Sequence, residues 1–227
     1  MIRALLAAFL ACLMIFRPED VPEPWQPWSE LDLLARPNLV SHWKLRSLAL
    51  RPAACRAALG AATRGVQMMN DRVESEVCHI RNRVNLSKLG SASLAPVQTR
   101  CAIAVRLLSW ETHALQPAAR EYLGAGVARV HHYSSFSCRR MRTSSGSSGR
   151  MSQHATANAI DISGFTLTDG RKISLKSDWN GDAAISAFLR SARDGLCDWF
   201  NIVLSPDYNA LHADHFHADM GSFLICR

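Results

Sequence analysis

Three histidines crowd into six residues near the C-terminus, in His212-Ala-Asp-His215-Phe-His217. Upstream, Ser152-Gln-His154-Ala-Thr-Ala-Asn-Ala-Ile-Asp161 adds a fourth imidazole and a carboxylate. Imidazoles with a carboxylate are zinc ligands, and three protein ligands leave one coordination position for water, as hydrolytic sites require. On a strand, residues i and i+2 point the same way, so His215 and His217 are expected to face one pocket, with Asp214 on the opposite face. Protonated together, these rings would repel, and buried without partners they would be costly. A metal removes that cost; the alternative is a His-rich strand edge with no ion. His42, His79, His113, His131 and His132 are read as packing or surface residues.

One absence narrows the chemistry. Residues 151–227 contain no glutamate, so the HExxH type of general base is missing. A local base must be a histidine or an aspartate, and His212, three residues before His215, is the natural candidate.

The elements around these residues follow from periodicity and turn signals. Ala159–Ile162 and Lys172–Leu175 predict a hairpin across Thr168-Asp-Gly170. Asp182 to Phe200 reads as a helix with Asp182 as N-cap and Ile185, Phe188, Leu189, Ala192 and Leu196 on its buried stripe. Ile202–Leu204 is a short buried strand, and His215–Asp219 a final one. Cys101 to Tyr122 is the clearest helix, kinked near Pro117 and stopped by Gly124. Gly126–Val130 predicts a strand. Thr143–Gly149 is a low-complexity loop by composition, flexible, next to the first motif. Trp43–Ala62 is helical with a break at Pro52, Val77–Val84 has strand character, and Asn85-Leu-Ser87 opens a turn. Helices and strands without βαβ regularity point to an α+β fold with a mostly antiparallel sheet flanked by helices.

The N-terminus begins Met-Ile-Arg3, and an apolar run follows from Ala4 to Phe16. It is too short to span a bilayer and fits a secretory h-region, with residues 1–20 read as a signal sequence or an N-terminal membrane anchor. Residues 21–43, rich in Pro and Trp, read as an extended lead-in, and 44–227 as one domain. Setting Cys12 aside, Cys55, Cys78, Cys101, Cys138, Cys197 and Cys226 are an even, scattered set without a CxxC pair. That pattern reads as disulfides in an oxidising compartment, and the sequence does not choose among the pairings. Net charge is +7. Residues 1–150 hold 20 Lys+Arg against 10 Asp+Glu, and residues 151–227 hold 6 against 9. A basic front half suits an anionic partner such as cell wall, but no nucleic-acid-binding pattern accompanies it, so nucleic acid is not expected.

The pair Ser-x-His154-x6-Asp161 and His212-x2-His215-x-His217 resembles the LAS-type zinc peptidases, which share a Hedgehog-like zinc fold. The longer match is to bacterial extensin-like C-terminal domain proteins. It takes in Tyr133–Arg139, Ser152–Phe165, Asp169-Gly170, Cys197-Asp-Trp-Phe200, Val203–Asn209 and His212–His217, and spans roughly residues 22–221. The resemblance implies a Hedgehog/D,D-peptidase-like fold with His154, Asp161 and His217 as zinc ligands. It further implies His212 as general base or electrostatic partner, His215 on the oxyanion side, and Arg139 aimed at a substrate carboxylate. Two neutral imidazoles and one carboxylate would leave a zinc site with net charge +1, which favours activated water near neutral pH.

The activity implied is an exported zinc peptidase on peptidoglycan stem peptides, a D,D-carboxypeptidase or an endopeptidase, in the periplasm or cell envelope. The alternative is a non-catalytic wall-associated module stapled by zinc. One departure stands out: the peptidase pattern has glycine where this chain has Ala157, and the extra methyl is expected to tighten the turn or restrict substrate approach.

Overall fold

The computed structural model describes residues 18–143 and 146–227. The apolar leader therefore lies outside the described residues, apart from the turn Pro18–Asp20. Helix α1 (Leu39–Ser47) opens the domain, and α2 (Pro52–Ala62) follows after a short turn. Asn38 caps α1 by accepting from Ser41 N, so the helix begins inside the Pro/Trp-rich lead-in. The rest of that lead-in makes one short 3-10 turn, Glu23–Trp25, and buries Leu33 in the core.

A nine-stranded mixed sheet forms the body. Its strands are β1 (Val66–Met68), β4 (Arg83–Leu89), β5 (Ala92–Arg100), β6 (Val127–His132), β9 (Ala159–Leu167), β10 (Lys172–Ser174), β11 (Ile202–Leu204), β12 (Phe216–Asp219) and β13 (Ile225–Cys226). They run in the order β1-β4-β5-β6-β9-β12-β11-β13, with β10 on β9. The β5–β6 and β11–β13 pairs are parallel and the other pairings antiparallel. The fold is thus α+β, as expected. Asn85–Ser87 is strand interior rather than a turn: Val84 and Leu86 are buried at strand spacing on β4, Leu89 is buried beyond a register shift between Leu86 and Lys88, and this burial outweighs the turn preference of Asn and Ser.

The long helical stretch is α3 (Cys101–Trp110), a π turn (Glu111–Leu115) and α4 (Gln116–Leu123), ended by Gly124 with φ of 68°. Pro117 sits just past the π turn, where its missing N–H costs little. Helix α5 (Leu175–Asp178) leads to α6 (Ala183–Trp199), whose N-cap Asp182 accepts from Ala184 N and Ile185 N. Helices α3 and α6 bury one face of the sheet: Trp110 Nε1 donates to the Ala192 carbonyl at 2.9 Å, and Phe165 meets Trp110 at a tilt and Phe188 edge to face. Gly164 on β9 is required by β10, since a Cβ there would collide with the Ile173 carbonyl.

Two small hairpins lie outside the main sheet: β2 (Arg72–Val73) with β3 (His79–Ile80), and β7 (Arg140–Thr143) with β8 (Gly146–Met151). A flexible loop was expected over residues 143–149; Thr143 and residues 146–149 lie in β7 and β8 instead, while residues 144 and 145 lie outside the described residues. Arg142 pairs with Ser147 and Thr143 with Gly146, whose φ is positive. Short Ser/Gly-rich sequence is compatible with a hairpin when its partner strand is fixed at the other end, here by Cys138.

The six cysteines form Cys55–Cys101, Cys78–Cys138 and Cys197–Cys226. The first ties α2 to the start of α3, and the third ties α6 to β13. The second fixes the Tyr133–Arg139 segment, which borders the histidine cluster, to the β2–β3 hairpin. Replacing Cys78 and Cys138 by serine is expected to cost roughly 3–4 kcal/mol, measured by urea unfolding. It should also disturb any ion bound beside Ser135, whereas the Cys197–Cys226 pair should affect stability alone.

Candidate metal centre

Strand alternation builds the site. On β9, Ile160 and Ile162 enter the helix-packed core while Asp161 turns to the other face; on β12, Phe216 and Ala218 enter the core while His217 and Asp219 turn away. Asp161 and His217 are directly paired across the two strands, which is why they meet. His154 arrives from the turn Gln153–Thr156, capped by Ser152 Oγ, and is itself buried.

The three side chains converge. His154 Nε2 lies 3.1 Å from Asp161 Oδ1 and 3.1 Å from His217 Nδ1, and His217 Nδ1 lies 2.9 Å from Asp161 Oδ1. One ligand atom from each lies within 4.8 Å of the others. Neighbours set the tautomers. His154 Nδ1–H donates to the Ser135 carbonyl at 3.1 Å, and His217 Nε2–H donates to Asp219 Oδ2 at 2.8 Å. A carbonyl and a carboxylate can only accept, so the neutral rings present their other nitrogens as lone pairs toward Asp161. Two imidazole lone pairs 3.1 Å apart repel unless a proton or a cation lies between them.

In the metal-free protein a proton fills that role. Burial by itself would lower the His217 pKa, but hydrogen bonds to Asp161 and Asp219 outweigh it and raise the value to about 9. Desolvation would raise Asp161, yet its hydrogen-bond contacts with the His154 and His217 rings push it far below the usual carboxylate range. The raised His217 value means its charged ring stabilises the fold fully below the ordinary histidine value of 6.5, and this contribution is lost as pH rises through about 9.

The remaining histidines flank this centre. His215 lies just before β12; its Nδ1–H donates to Asp214 Oδ1 at 2.8 Å, and its Nε2 stands 3.7 Å from Asp161 Oδ1. Asp214 does not face away, as a regular strand would require. It sits in the turn before β12 and also accepts from the Tyr133 hydroxyl at 3.0 Å. His212 ends the short turn Ala210–His212, with its Nδ1–H held by Asn209 Oδ1 at 2.8 Å. Burial, then the neighbouring His217 and His215, lower its pKa to about 4, so it is neutral at pH 7.

A cavity of about 670 Å³ opens over the cluster, within the range of ligand pockets. The β7–β8 hairpin lends it Met141, Arg142 and Arg150, beside Arg139; Tyr208, Leu211 and Phe223 supply an apolar side. Arg139 thus lines the cleft. Ala157 has φ of 49°, the left-handed region where glycine is unstrained and other residues lose roughly 1 kcal/mol. Its side chain is fully buried, so the methyl strains the turn and does not narrow the cleft, correcting that part of the expectation.

The sequence matches the family described as Extensin-like protein C-terminus over residues 53–227. The chain belongs to this extensin-like family. No curated protein and no solved structure matches it. Within this extensin-like domain, sequence reasoning missed Asp219, Asp214, Tyr133, Ser135 and Asn209. Only Asp219 carried a usable signal, because i and i+2 on a strand share a face with His217. The other five histidines stay apart from the centre: His42 stacks on Trp199, while His113 and His132 bond to the Leu33 and Ala95 carbonyls. His131 bonds to Thr166 Oγ1, and His79 lies on the β2–β3 hairpin.

Proposed function

We propose that this chain is an exported zinc-dependent hydrolase acting on amide bonds of peptidoglycan stem peptides. The observation that carries the reading is the convergence of His154 Nε2, Asp161 Oδ1 and His217 Nδ1, with the far nitrogen of each ring held by Ser135 or Asp219 so that the near nitrogens point at one spot. Two nitrogens and one carboxylate oxygen suit zinc, and an ion held by these three residues alone would keep room for a water. Bound there, the ion would supply Lewis acidity, lowering the pKa of a water and polarising a carbonyl.

The protein's own groups divide the remaining work. His215, with its Nδ1–H fixed by Asp214 and that carboxylate fixed by Tyr133, is the better proton acceptor, because a carboxylate partner stabilises the imidazolium that forms. Its Nε2 stands 3.7 Å from Asp161 Oδ1 and lines the same cleft. His212 has no carboxylate partner and a lowered pKa, so it serves as a neutral hydrogen-bonding group on the developing oxyanion. This exchanges the roles implied by the family resemblance. Arg139 is placed to take a substrate carboxylate, for which a planar guanidinium is suited.

Zinc uptake at pH 7 is expected to release about one proton, that of His217, and affinity should climb about tenfold per pH unit up to about pH 9. Calorimetry in buffers of different protonation enthalpy reads both; pH-independent uptake would contradict the assignment. The activity test is mass spectrometry of muropeptides incubated with zinc-loaded protein against a chelated control. Loss of a terminal D-Ala, or splitting of a cross-linked dimer, supports the reading and names the bond. No change at one zinc per chain favours a wall-associated module with a structural ion.

A further inference from the structure

Helix α1 turns its apolar groups outward. Lys44, Leu45 and Leu48 are buried, whereas Leu39, Trp43 and Leu50 are exposed by 79%, 55% and 87%. Together with exposed Arg46 they are spaced four, three and four residues apart, so they form one stripe along α1 and the turn Leu48–Leu50 that extends it. The stripe lies opposite the buried face. Trp25 and Trp28, in the preceding turns, are exposed as well.

The occupant of this face is indicated by where the chain comes from. The Pro24 carbonyl accepts from Asn38 Nδ2 at 2.9 Å, and Ser29 Oγ accepts from Lys44 Nζ at 2.8 Å. The lead-in is therefore fastened along α1, with Pro24 beside its first turn. The apolar run Ala4–Phe16 ends eight residues before Pro24 (24 − 16). Even a fully extended chain covers only about 28 Å over that distance. Whatever layer receives the apolar run lies close to the stripe.

We propose that Leu39, Trp43, Arg46 and Leu50 lie in the headgroup layer of a phospholipid bilayer and seat the domain on the membrane entered by the N-terminal run. Tryptophan prefers that layer, and leucines on one helix face enter it shallowly while arginine stays among the headgroups. Charge contributes little: Glu19, Asp20, Glu23, Glu30 and Asp32 in the same segment offset Arg36, Lys44, Arg46 and Arg51. The contact is apolar and should withstand salt, unlike a polybasic one.

The test uses the full-length chain in phosphatidylcholine vesicles with plain or brominated acyl chains. Trp43 emission is isolated by subtracting the W43F variant. Bromolipid is expected to quench Trp43 with no loss of quenching in high salt, and amides of residues 39–50 should gain hydrogen-exchange protection. L39E/L50E, two exposed positions, should leave the melting temperature unchanged, keep vesicle binding through the N-terminal run, and lose both signals. Equal Trp43 emission in plain and brominated vesicles, with the chain bound, would overturn the proposal. So would failure of the chain to float with vesicles, or quenching that disappears in salt.

Discussion

Asp161→Asn is expected to abolish stoichiometric zinc binding and, with it, any hydrolysis above background. The substitution keeps the volume and removes the only anionic group of the three, which contacts both His154 Nε2 and His217 Nδ1. The metal-free variant should lose about 2 kcal/mol, because a buried charged partner is removed. Its His217 should titrate below the wild-type value of about 9, since the first of its two carboxylate partners is gone. Metal analysis, urea unfolding and NMR titration read these outcomes separately. Full zinc occupancy in Asp161→Asn would remove this carboxylate from the ligand set.

His215→Ala is expected to lower turnover by about 10²–10⁴-fold, the usual contribution of a positioned acid–base group, with zinc still bound. Asp214→Asn should reproduce part of that loss, since an amide in place of the carboxylate no longer stabilises the charged ring. It should also shift the pH profile of kcat, which a merely structural change would not do. His212→Ala should cost less than His215→Ala, because the His212 ring is neutral and carboxylate-free. The reverse ranking would restore His212 as the base. Neither variant should alter the melting temperature greatly, as both rings are only partly buried.

Much of the candidate site was legible because strand periodicity is local. His217 and Asp161 each needed only an alternating apolar pattern around them to be placed on one face, and Ile160, Ile162, Phe216 and Ala218 provide it. Asp182 as N-cap and Gly124 as helix stop were equally local, since a side-chain cap and a left-handed residue act within one turn. Asp214 was misplaced for the complementary reason. It was assigned strand geometry, but β12 begins at Phe216, and a turn residue follows its hydrogen-bond partners, here His215 and Tyr133. The β7–β8 hairpin was hidden because Ser and Gly carry little intrinsic preference, and its ordering depends on chain held by Cys138.

By itself the sequence determined the residue types of the candidate site, their grouping into two motifs, the α+β class, the cysteine set and the buried stripe of the helix that Asp182 caps. These are consequences of residue chemistry and of periods of two and 3.6 residues. Only the tertiary structure decided which cysteines pair and that β9 and β12 are neighbours. It alone set the tautomers of His154 and His217, through Ser135 and Asp219, and gave His215 rather than His212 a carboxylate. All of these are contacts between residues far apart in the chain or held in irregular turns, where no repeat fixes direction and packing selects one arrangement.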